Sequence, residues 1–272
     1  MNSQKNKPLV SVLICSYNAA KFIQSTILSV LNQSYPNLEL LILDNASTDD
    51  TVAIVKQLTQ RDKRVKVITS DKNLGPYKGL NFLLEKAKGS YIAINDHDDI
   101  WHPDKLAVQV DFLEKNLQYV GCGTAIVNWY EKYEAYQYRT QSGKSVTAWH
   151  TSLIFRNRRF RYDAHIKVGT DFYFMKHILC KGGETLFNFG EPYVLRRIFS
   201  ENLSGKWMKK VSIGELLTLD IGLIDKLSLI NRYFIPEEVV NWVIVTCFAR
   251  NIPKKYEGYT KTLFSILSSP RS

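Results

Sequence analysis

Apolar runs and helical spacings alternate along the first part of the chain. Residues 9–15 (Leu9-Val10-Ser11-Val12-Leu13-Ile14-Cys15) form a stretch of strand length, broken by Ser16-Tyr17-Asn18. Residues 20–31 then set Phe22, Ile23, Ile27, Val30 and Leu31 at helical spacing, and Pro36 closes that unit. Residues 38–43 are a second apolar strand, followed by Asp44-Asn45-Ala46-Ser47-Thr48-Asp49. Ser47 or Thr48 is the expected cap of a helix over 50–60. A third strand covers 65–69, Asn73-Leu74-Gly75-Pro76 reads as a turn, and 79–88 reads as a helix with Gly89 at its C-cap. A fourth strand, 91–94, follows.

This alternation of apolar strands and amphipathic helices predicts an α/β fold: a parallel sheet covered on both faces and joined by right-handed crossovers. Ligands of such sheets bind at the carboxyl ends of the strands. Ser16-Tyr17-Asn18, Asp44-Asn45 and Asn95-Asp96-His97-Asp98-Asp99 all fall at such ends, so they are expected on one edge. Further on, residues 124–130 and 146–155 alternate around a polar, tyrosine-rich connection, which predicts a mixed or antiparallel extension of the sheet. Residues 170–180 read as helix and 182–194 as a short strand pair or loop. From residue 212 three amphipathic helices are expected, one of them opened by Pro236.

Length and composition bound this picture. A chain of 272 residues, 45% of them hydrophobic, supports one large α/β domain or a domain with an appendage. The net charge of +10 points to anionic partners: nucleotide phosphates, nucleic acid or a membrane surface. Arg156, Arg158, Arg159 and Arg161 form the densest basic cluster and read as a solvated loop before a site for an anionic lipid-linked acceptor. Cys15, Cys122, Cys180 and Cys247 have no paired spacing, which fits free thiols of a reducing compartment. The polar start lacks a signal-like stretch, and no segment approaches the ~20 apolar residues of a spanning helix. A cytoplasmic protein, soluble or peripheral to the inner face of a membrane, is expected.

The acidic cluster carries the sharpest chemistry. Asp96, Asp98 and Asp99 crowd the end of an apolar strand, where like charges raise one another's pKa. A hard divalent cation, Mg²⁺ or Mn²⁺, relieves that repulsion and in turn favours a phosphate-bearing substrate. The competing reading is a strand-end turn whose Asp99 caps the helix that opens near Pro103.

Val10-Ser11-Val12-Leu13-Ile14-Cys15-Ser16-Tyr17-Asn18, Asp44-Asn45-Ala46-Ser47-Thr48-Asp49, Asn73-Leu74-Gly75 and Asp96-His97-Asp98-Asp99-Ile100-Trp101, in that order, resemble the inverting family 2 glycosyltransferases of GT-A fold. Residues 96–106 are similar to the bacterial rhamnosyltransferase-like branch that builds surface polysaccharides, and the likeness continues more weakly to residue 205. It implies a Rossmann-like, mostly parallel central sheet flanked by helices. The glycosyltransferase domain would span 1–205, with a nucleotide-binding half over 1–110 and an acceptor half over 111–205, and 206–272 would form a C-terminal helical extension.

The resemblance also implies roles. Ser16, Tyr17 and Asn18 seat the nucleotide base, and Asp44 contacts base or ribose. Asp98 is the metal ligand, and Asp96 reaches the ribose or a metal-bound water. Asp99 orients sugar or acceptor. Asp171, within Val168-Gly169-Thr170-Asp171-Phe172, matches the general base, with Thr170 where the family usually has Glu. His150 faces donor phosphate or acceptor. Residues 196–204 resemble the loop that folds over the diphosphate, and Phe199 stands where many relatives have histidine, which leaves Arg196 or Arg197 to supply the charge. The plain structural alternatives are an Asx turn for Asp44, a dipole-favoured first-turn carboxylate for Asp171 and a packing histidine for His150.

The implied partners are a nucleoside-diphosphate sugar (UDP or dTDP), a saccharide or lipid-linked acceptor, a divalent cation (Mn²⁺ or Mg²⁺) and a membrane surface met by the basic C-terminal helices. A nucleotidyltransferase shares the strand-end carboxylates but usually needs a Gly-rich, basic phosphate loop, which Ser16-Tyr17-Asn18-Ala19-Ala20 lacks. A nucleic-acid-binding protein, suggested by the charge and the 15 tyrosines, would show a basic stripe with exposed aromatics on a sheet face. The strands here are apolar and the charge is spread, so no nucleic-acid partner is expected.

Overall fold

The computed structural model describes residues 7–166, 169–199 and 252–267. In chain order the elements are β1 (Val10–Ser16), α1 (Ile23–Leu31), β2 (Leu38–Asp44), α2 (Thr51–Thr59), β3 (Val65–Thr69), α3 (Pro76–Lys86) and β4 (Tyr91–Ile94). Then come β5 (Ile100–Trp101), α4 (Lys105–Lys115), β6 (Tyr119–Tyr130), β7 (Ala135–Arg139), β8 (Gly143–Ser145) and β9 (Ile154–Arg156). Helix α5 (Thr170–Tyr173) runs directly into a π-helical turn, Phe174–Leu179. Strand β10 (Thr185–Ile198) and helix α6 (Glu257–Leu267) complete the described chain.

All strands join one sheet in the order β3-β2-β1-β4-β9-β6-β10-β5, with β7 beside β6 and β8 beside β10. The strands β3, β2, β1, β4, β6 and β10 run the same way, and the short β5, β7, β8 and β9 run against them. Alternation along the strands sorts side chains between two cores. Val10, Val12, Ile14, Leu40 and Ile42 pack with Ile23, Ile27, Val55, Leu106 and Val110 of α1, α2 and α4. Leu13, Leu41, Leu43 and Ile92 pack with Leu80, Leu83 and Phe174 of α3 and the α5 segment. Each such fully buried aliphatic side chain contributes about 1.5–3 kcal/mol, which is why the apolar runs become strands with both faces covered. A third cluster seats Leu263 of α6 on Ile100, Val127 and Leu195.

The sheet, its helices and the strand limits near residues 10–16, 38–44, 65–69 and 91–94 agree with expectation. Several local expectations are corrected. Helix α2 takes no cap from Ser47 or Thr48; the Asp49 carboxylate accepts from the Thr51 amide at 3.1 Å instead. Helix α3 starts at Pro76 and ends at Lys86, so Gly89 is not its cap. Gly89 is packed against backbone, and a Cβ there would lie 2.5 Å from the Ser11 nitrogen and 2.8 Å from the Leu9 oxygen. Residues 185–198 form one long strand rather than a short pair. Of the cluster at 156–161, Arg156 is no solvated side chain: its guanidinium donates to Tyr119 O, Tyr91 Oη and Leu113 O. Arg158 pairs with Glu184. The helices expected from residue 212 lie outside the described residues, apart from α6. Among the described residues no helix is long and apolar enough to cross a membrane.

Candidate active site

Three loops meet at the carboxyl edge of the sheet. Ser16 and Asp44 are register partners at the ends of β1 and β2. Ser16 is buried and structural: its hydroxyl donates to Leu43 O at 3.1 Å, and its carbonyl accepts from the Asn45 amide at 2.8 Å. Asn18, at φ 48°, joins the two loops: its amide donates to Ser47 Oγ and its side-chain oxygen accepts from the Thr48 amide, both at 2.9 Å. Asparagine tolerates this left-handed backbone better than most residues. Tyr17 between them is 39% exposed, so its ring is free to meet a ligand. Asp44 is 3% exposed; Oδ2 accepts from the Ser47 amide, while Oδ1 is buried with no hydrogen-bond partner. Asn45 holds the third loop, donating to Asn73 Oδ1 and Gly75 O and accepting from the Leu74 amide at 2.8 Å.

The loop after β4 presents the acidic cluster. The Asp96 side chain is 45% exposed and lies 3.6 Å from Nδ1 of His150, which is itself nearly covered. Burial pushes the Asp96 carboxyl up, but the bond to His150 and its charge outweigh that, so its pKa falls below the usual carboxylate range. The reciprocal holds for His150: burial disfavours its cation, the Asp96 carboxylate favours it more, and its pKa is raised. Asp98 is half-buried, and burial, with the Asp96 charge behind it, raises its carboxyl.

Asp99 is turned inward. It is 1% exposed, and Oδ1 accepts from the Arg197 amide at 3.1 Å, pinning β10 beside β5. Burial first, then the charges of Asp98 and Asp96, raise its pKa well above the ordinary value. Asp99 thus holds β10 beside β5 through one oxygen, while its other oxygen, Oδ2, is buried with no hydrogen-bond partner.

Arg196 and Arg197 belong to the end of β10 rather than to a loop, and strand alternation sends them to opposite faces. Arg197 is 6% exposed, donates to Ser25 Oγ at 2.8 Å and stacks over the Phe22 ring, so it packs onto α1. Arg196 instead acts electrostatically on Asp96, Asp98 and His150. Both cations reach the cluster: Asp98 and Asp99 act in turn on the buried Arg197. Phe199 packs against Phe22 at 4.7 Å between ring centroids. Residues 200–204 of the expected closing loop lie outside the described residues.

Beyond Asp96, His150 Nε2 meets Tyr162 Oη at 2.9 Å, and the Asp171 charge reaches His150, Tyr77 and Tyr162. Asp171 stands in the first turn of α5, after Gly169 at φ 69°. Asn81 of α3 grips the Tyr162 backbone from both sides, donating to its oxygen and accepting from its nitrogen. Tyr77, Asn81 and Tyr162 were not singled out from sequence, where nothing in their spacing brings them together.

The structure thus sets Tyr17, Asn18 and Asp44 at the carboxyl ends of β1 and β2, and brings Asp96, Asp98, His150, Arg196 and Asp171 within electrostatic reach of one another after β4. Two half-exposed carboxylates under mutual repulsion, with one raised by burial, are a donor set that suits a hard cation. Among the described residues no group of three or more His, Cys, Asp or Glu side chains converges on one point.

Residues 11–182 match the model of the family described as Glycosyl transferase family 2. The chain belongs to glycosyltransferase family 2. Over 107 residues it is 45% identical to a Bacillus subtilis protein described as a putative teichuronic acid biosynthesis glycosyltransferase, TuaG, covering 39% of this chain and 42% of that one. Over 106 residues it is 40% identical to the Escherichia coli UDP-Glc:alpha-D-GlcNAc-diphosphoundecaprenol beta-1,3-glucosyltransferase WfaP, covering 39% and 41%. The chain spans less than half the length of these curated relatives. Two solved structures share the fold: S. aureus TarS 1-349 in complex with UDP-GlcNAc (TM-score 0.59, 16% identity, 95% of this chain and 80% of that one) and the Pyrobaculum calidifontis mannosyltransferase PcManGT in complex with GDP-Man and Mn²⁺ (TM-score 0.58, 16%, 97% and 86%). This glycosyltransferase domain therefore has the GT-A architecture.

Proposed function

We propose that this glycosyltransferase is inverting and moves a sugar from a nucleoside-diphosphate sugar to a saccharide or lipid-linked saccharide in the synthesis of a surface polysaccharide. The observation that carries the proposal is the convergence, on one sheet edge of a family 2 chain, of an orphaned buried acceptor (Asp44 Oδ1), two accessible carboxylates (Asp96 and Asp98) and a separate carboxylate, Asp171.

In this proposal Tyr17 lies against the nucleotide base. Asp44 Oδ1 accepts from a base N–H or a ribose hydroxyl, which removes the desolvation cost of an unpaired buried oxygen, ~1–3 kcal/mol. Asp98, with Asp96 beside it, holds the divalent cation, Mn²⁺ or Mg²⁺. When bound, that cation supplies positive charge to the diphosphate as it leaves. Arg196 adds a fixed charge on the same side, the role that Phe199 cannot fill. Asp171 takes the proton of the acceptor hydroxyl as its oxygen bonds to the anomeric carbon and the bond from that carbon to the diphosphate oxygen breaks. One displacement inverts the configuration, and the base must lie on the acceptor side, apart from the carboxylates of the donor side. Asp99 takes no direct part and buttresses the β5–β10 edge.

UDP is the favoured nucleotide, supported by the UDP-glucose in the name of WfaP and the UDP-GlcNAc bound to TarS; dTDP is the alternative. The lipid-linked acceptor rests on the diphosphoundecaprenol in the name of WfaP. The basic excess of residues 206–272 supports a place at the cytoplasmic face of a membrane, checked by flotation with anionic liposomes at low salt.

The test is thermal unfolding with UDP, dTDP, GDP, CDP and ADP, each with Mn²⁺ and with EDTA. A ligand specific to the folded state raises the melting temperature. Metal-dependent stabilisation by one diphosphate, lost in Asp98→Ala, is the expected result. No shift with any diphosphate far above a working dissociation constant would overturn the donor assignment.

A further inference from the structure

Strand β9 runs against β4, with Ile154 opposite Ala93, so the residues that lead into β9 lie at the carboxyl end of β4. His150 opens the 3₁₀ turn just before β9 and therefore arrives beside the acidic loop. The turn is bonded there as well: the Ile94 amide donates to Leu153 O at 3.2 Å, and Thr151 Oγ1 donates to Asn95 Oδ1 at 3.3 Å. The His150 side chain is 12% exposed, and its ring lies between two oxygens. Nδ1 is 3.6 Å from Asp96 Oδ1, and Nε2 is 2.9 Å from Tyr162 Oη.

The chemistry of these groups sets the direction of the row. An ionised carboxylate only accepts, so the proton that faces Asp96 belongs to Nδ1. In the neutral ring Nε2 is then an acceptor, and the Tyr162 hydroxyl donates to it; in the imidazolium Nε2 donates and Oη accepts. A phenol serves both states, so the contact does not depend on the charge of His150.

Tyr162 is itself firmly held. It is 3% exposed, stacks on Phe174 at 3.9 Å and 22°, and packs on Tyr77 at 5.4 Å. Asn81 of α3 donates to its carbonyl at 2.9 Å and accepts from its amide at 2.8 Å. A tyrosine buried this deeply needs a partner for its hydroxyl, and His150 is that partner.

We propose that Tyr162 is a positioning residue: held by Asn81 and Phe174, it orients the His150 ring and, through that ring, the Asp96 carboxylate for cation-assisted binding of the nucleoside diphosphate. The link to the nucleotide rests on the donor-site reading above; the orientation of His150 by Tyr162 does not. Groups one step behind a metal site are worth about 10–100-fold in metal affinity.

The experiment uses the full chain as wild type, Tyr162→Phe, His150→Asn and the double variant. The phenylalanine keeps the ring stack and loses only the hydroxyl. The asparagine keeps a donor close to the Nδ1 position and is too short to reach Tyr162. UDP is titrated calorimetrically with Mn²⁺ and again with EDTA. Affinity in Mn²⁺ is expected to fall about tenfold in each single variant, with the double variant no weaker than the singles and affinity in EDTA constant. A purely structural role would weaken both titrations alike. In ¹⁵N-histidine-labelled protein the ring-nitrogen shifts of His150, assigned by their absence in His150→Asn, are expected to move in Tyr162→Phe while those of His102 and His165 stay. Unmoved His150 shifts, or unchanged affinity in Mn²⁺ for folded Tyr162→Phe, would overturn the proposal. Asp98→Ala separates the two readings. If it binds UDP with Mn²⁺ as wild type does, the donor-site reading has failed; if it loses binding while Tyr162→Phe keeps it, only the positioning role has failed.

Discussion

Ser16 and Asp44 stand side by side in register at the ends of β1 and β2, and of the two only Asp44 keeps an unsatisfied oxygen. The fold spends every hydrogen bond of Ser16 on holding the loops and leaves one acceptor of Asp44 for a ligand. Asp44→Asn is therefore expected to keep the fold, since one oxygen suffices for the Ser47 amide, and to present an N–H where an acceptor is needed. Affinity for UDP should weaken about tenfold or more, equivalent to about 1.4 kcal/mol. Calorimetric titration of UDP into both proteins measures it, and equal affinities would remove Asp44 from the nucleotide site.

Asp171 and Asp96 both act on His150, Tyr77 and Tyr162. Asp171→Asn should leave nucleotide binding intact and lower kcat by about 10²–10⁴-fold, the usual worth of a general base. Steady-state rates with the donor identified by thermal unfolding provide the check. A proportional rise in donor KM with kcat unchanged would instead place Asp171 in substrate binding.

Gly79 of α3 packs so closely on β1 that a Cβ would lie 2.5 Å from Cys15 Sγ and 3.1 Å from Leu43 Cδ2. In an exposed helix Gly→Ala stabilises; here the overlap should win and Gly79→Ala should cost about 1–3 kcal/mol. Pairing it with Cys15→Ala should recover much of the loss. Urea unfolding of the single and double variants decides, and a stabilised single variant would show that α3 shifts freely.

What sequence revealed and what it concealed follow from the range of the interactions involved. Strands β1 to β4 and helices α1 to α3 are written in local periodicity and turn residues, and motif order singled out Asp44, Asp96, Asp98 and Asp171. Strand β10 is longer than expected and runs through Pro192. This proline sits at a register shift against β6, where the ladder is already interrupted and a missing N–H costs little. Asp99 and Arg197 were assigned outward because sequence gives no facing for a residue beside a strand end; their mutual bond spans 98 positions. The Asn81–Tyr162 clasp spans 81 positions, and its pattern is invisible along the chain.

Lys105 offers a pH test away from the site. It opens α4 with no exposed surface, its Nζ 3.7 Å from the Trp101 ring centroid and without a hydrogen-bond partner. A helix N-terminus disfavours a cation, and the ring repays only part of the lost hydration, on the order of 2 kcal/mol. Burial pulls the ammonium down to about 7 from 10.5. Between these values the unfolded chain binds more protons than the folded one, so stability rises with pH across that window; below about 7 both states are charged and the burial cost is felt in full. Lys105→Met keeps length and ring contact without the charge. It should be more stable than wild type near pH 6.5, by at most about 5 kcal/mol, and the gap should narrow steadily toward pH ~10. Urea unfolding at three pH values measures the difference, in which the titration of all other groups cancels. A gap that does not change with pH would mean that the Lys105 ammonium keeps its proton in the folded state throughout, and that Trp101 compensates for its burial.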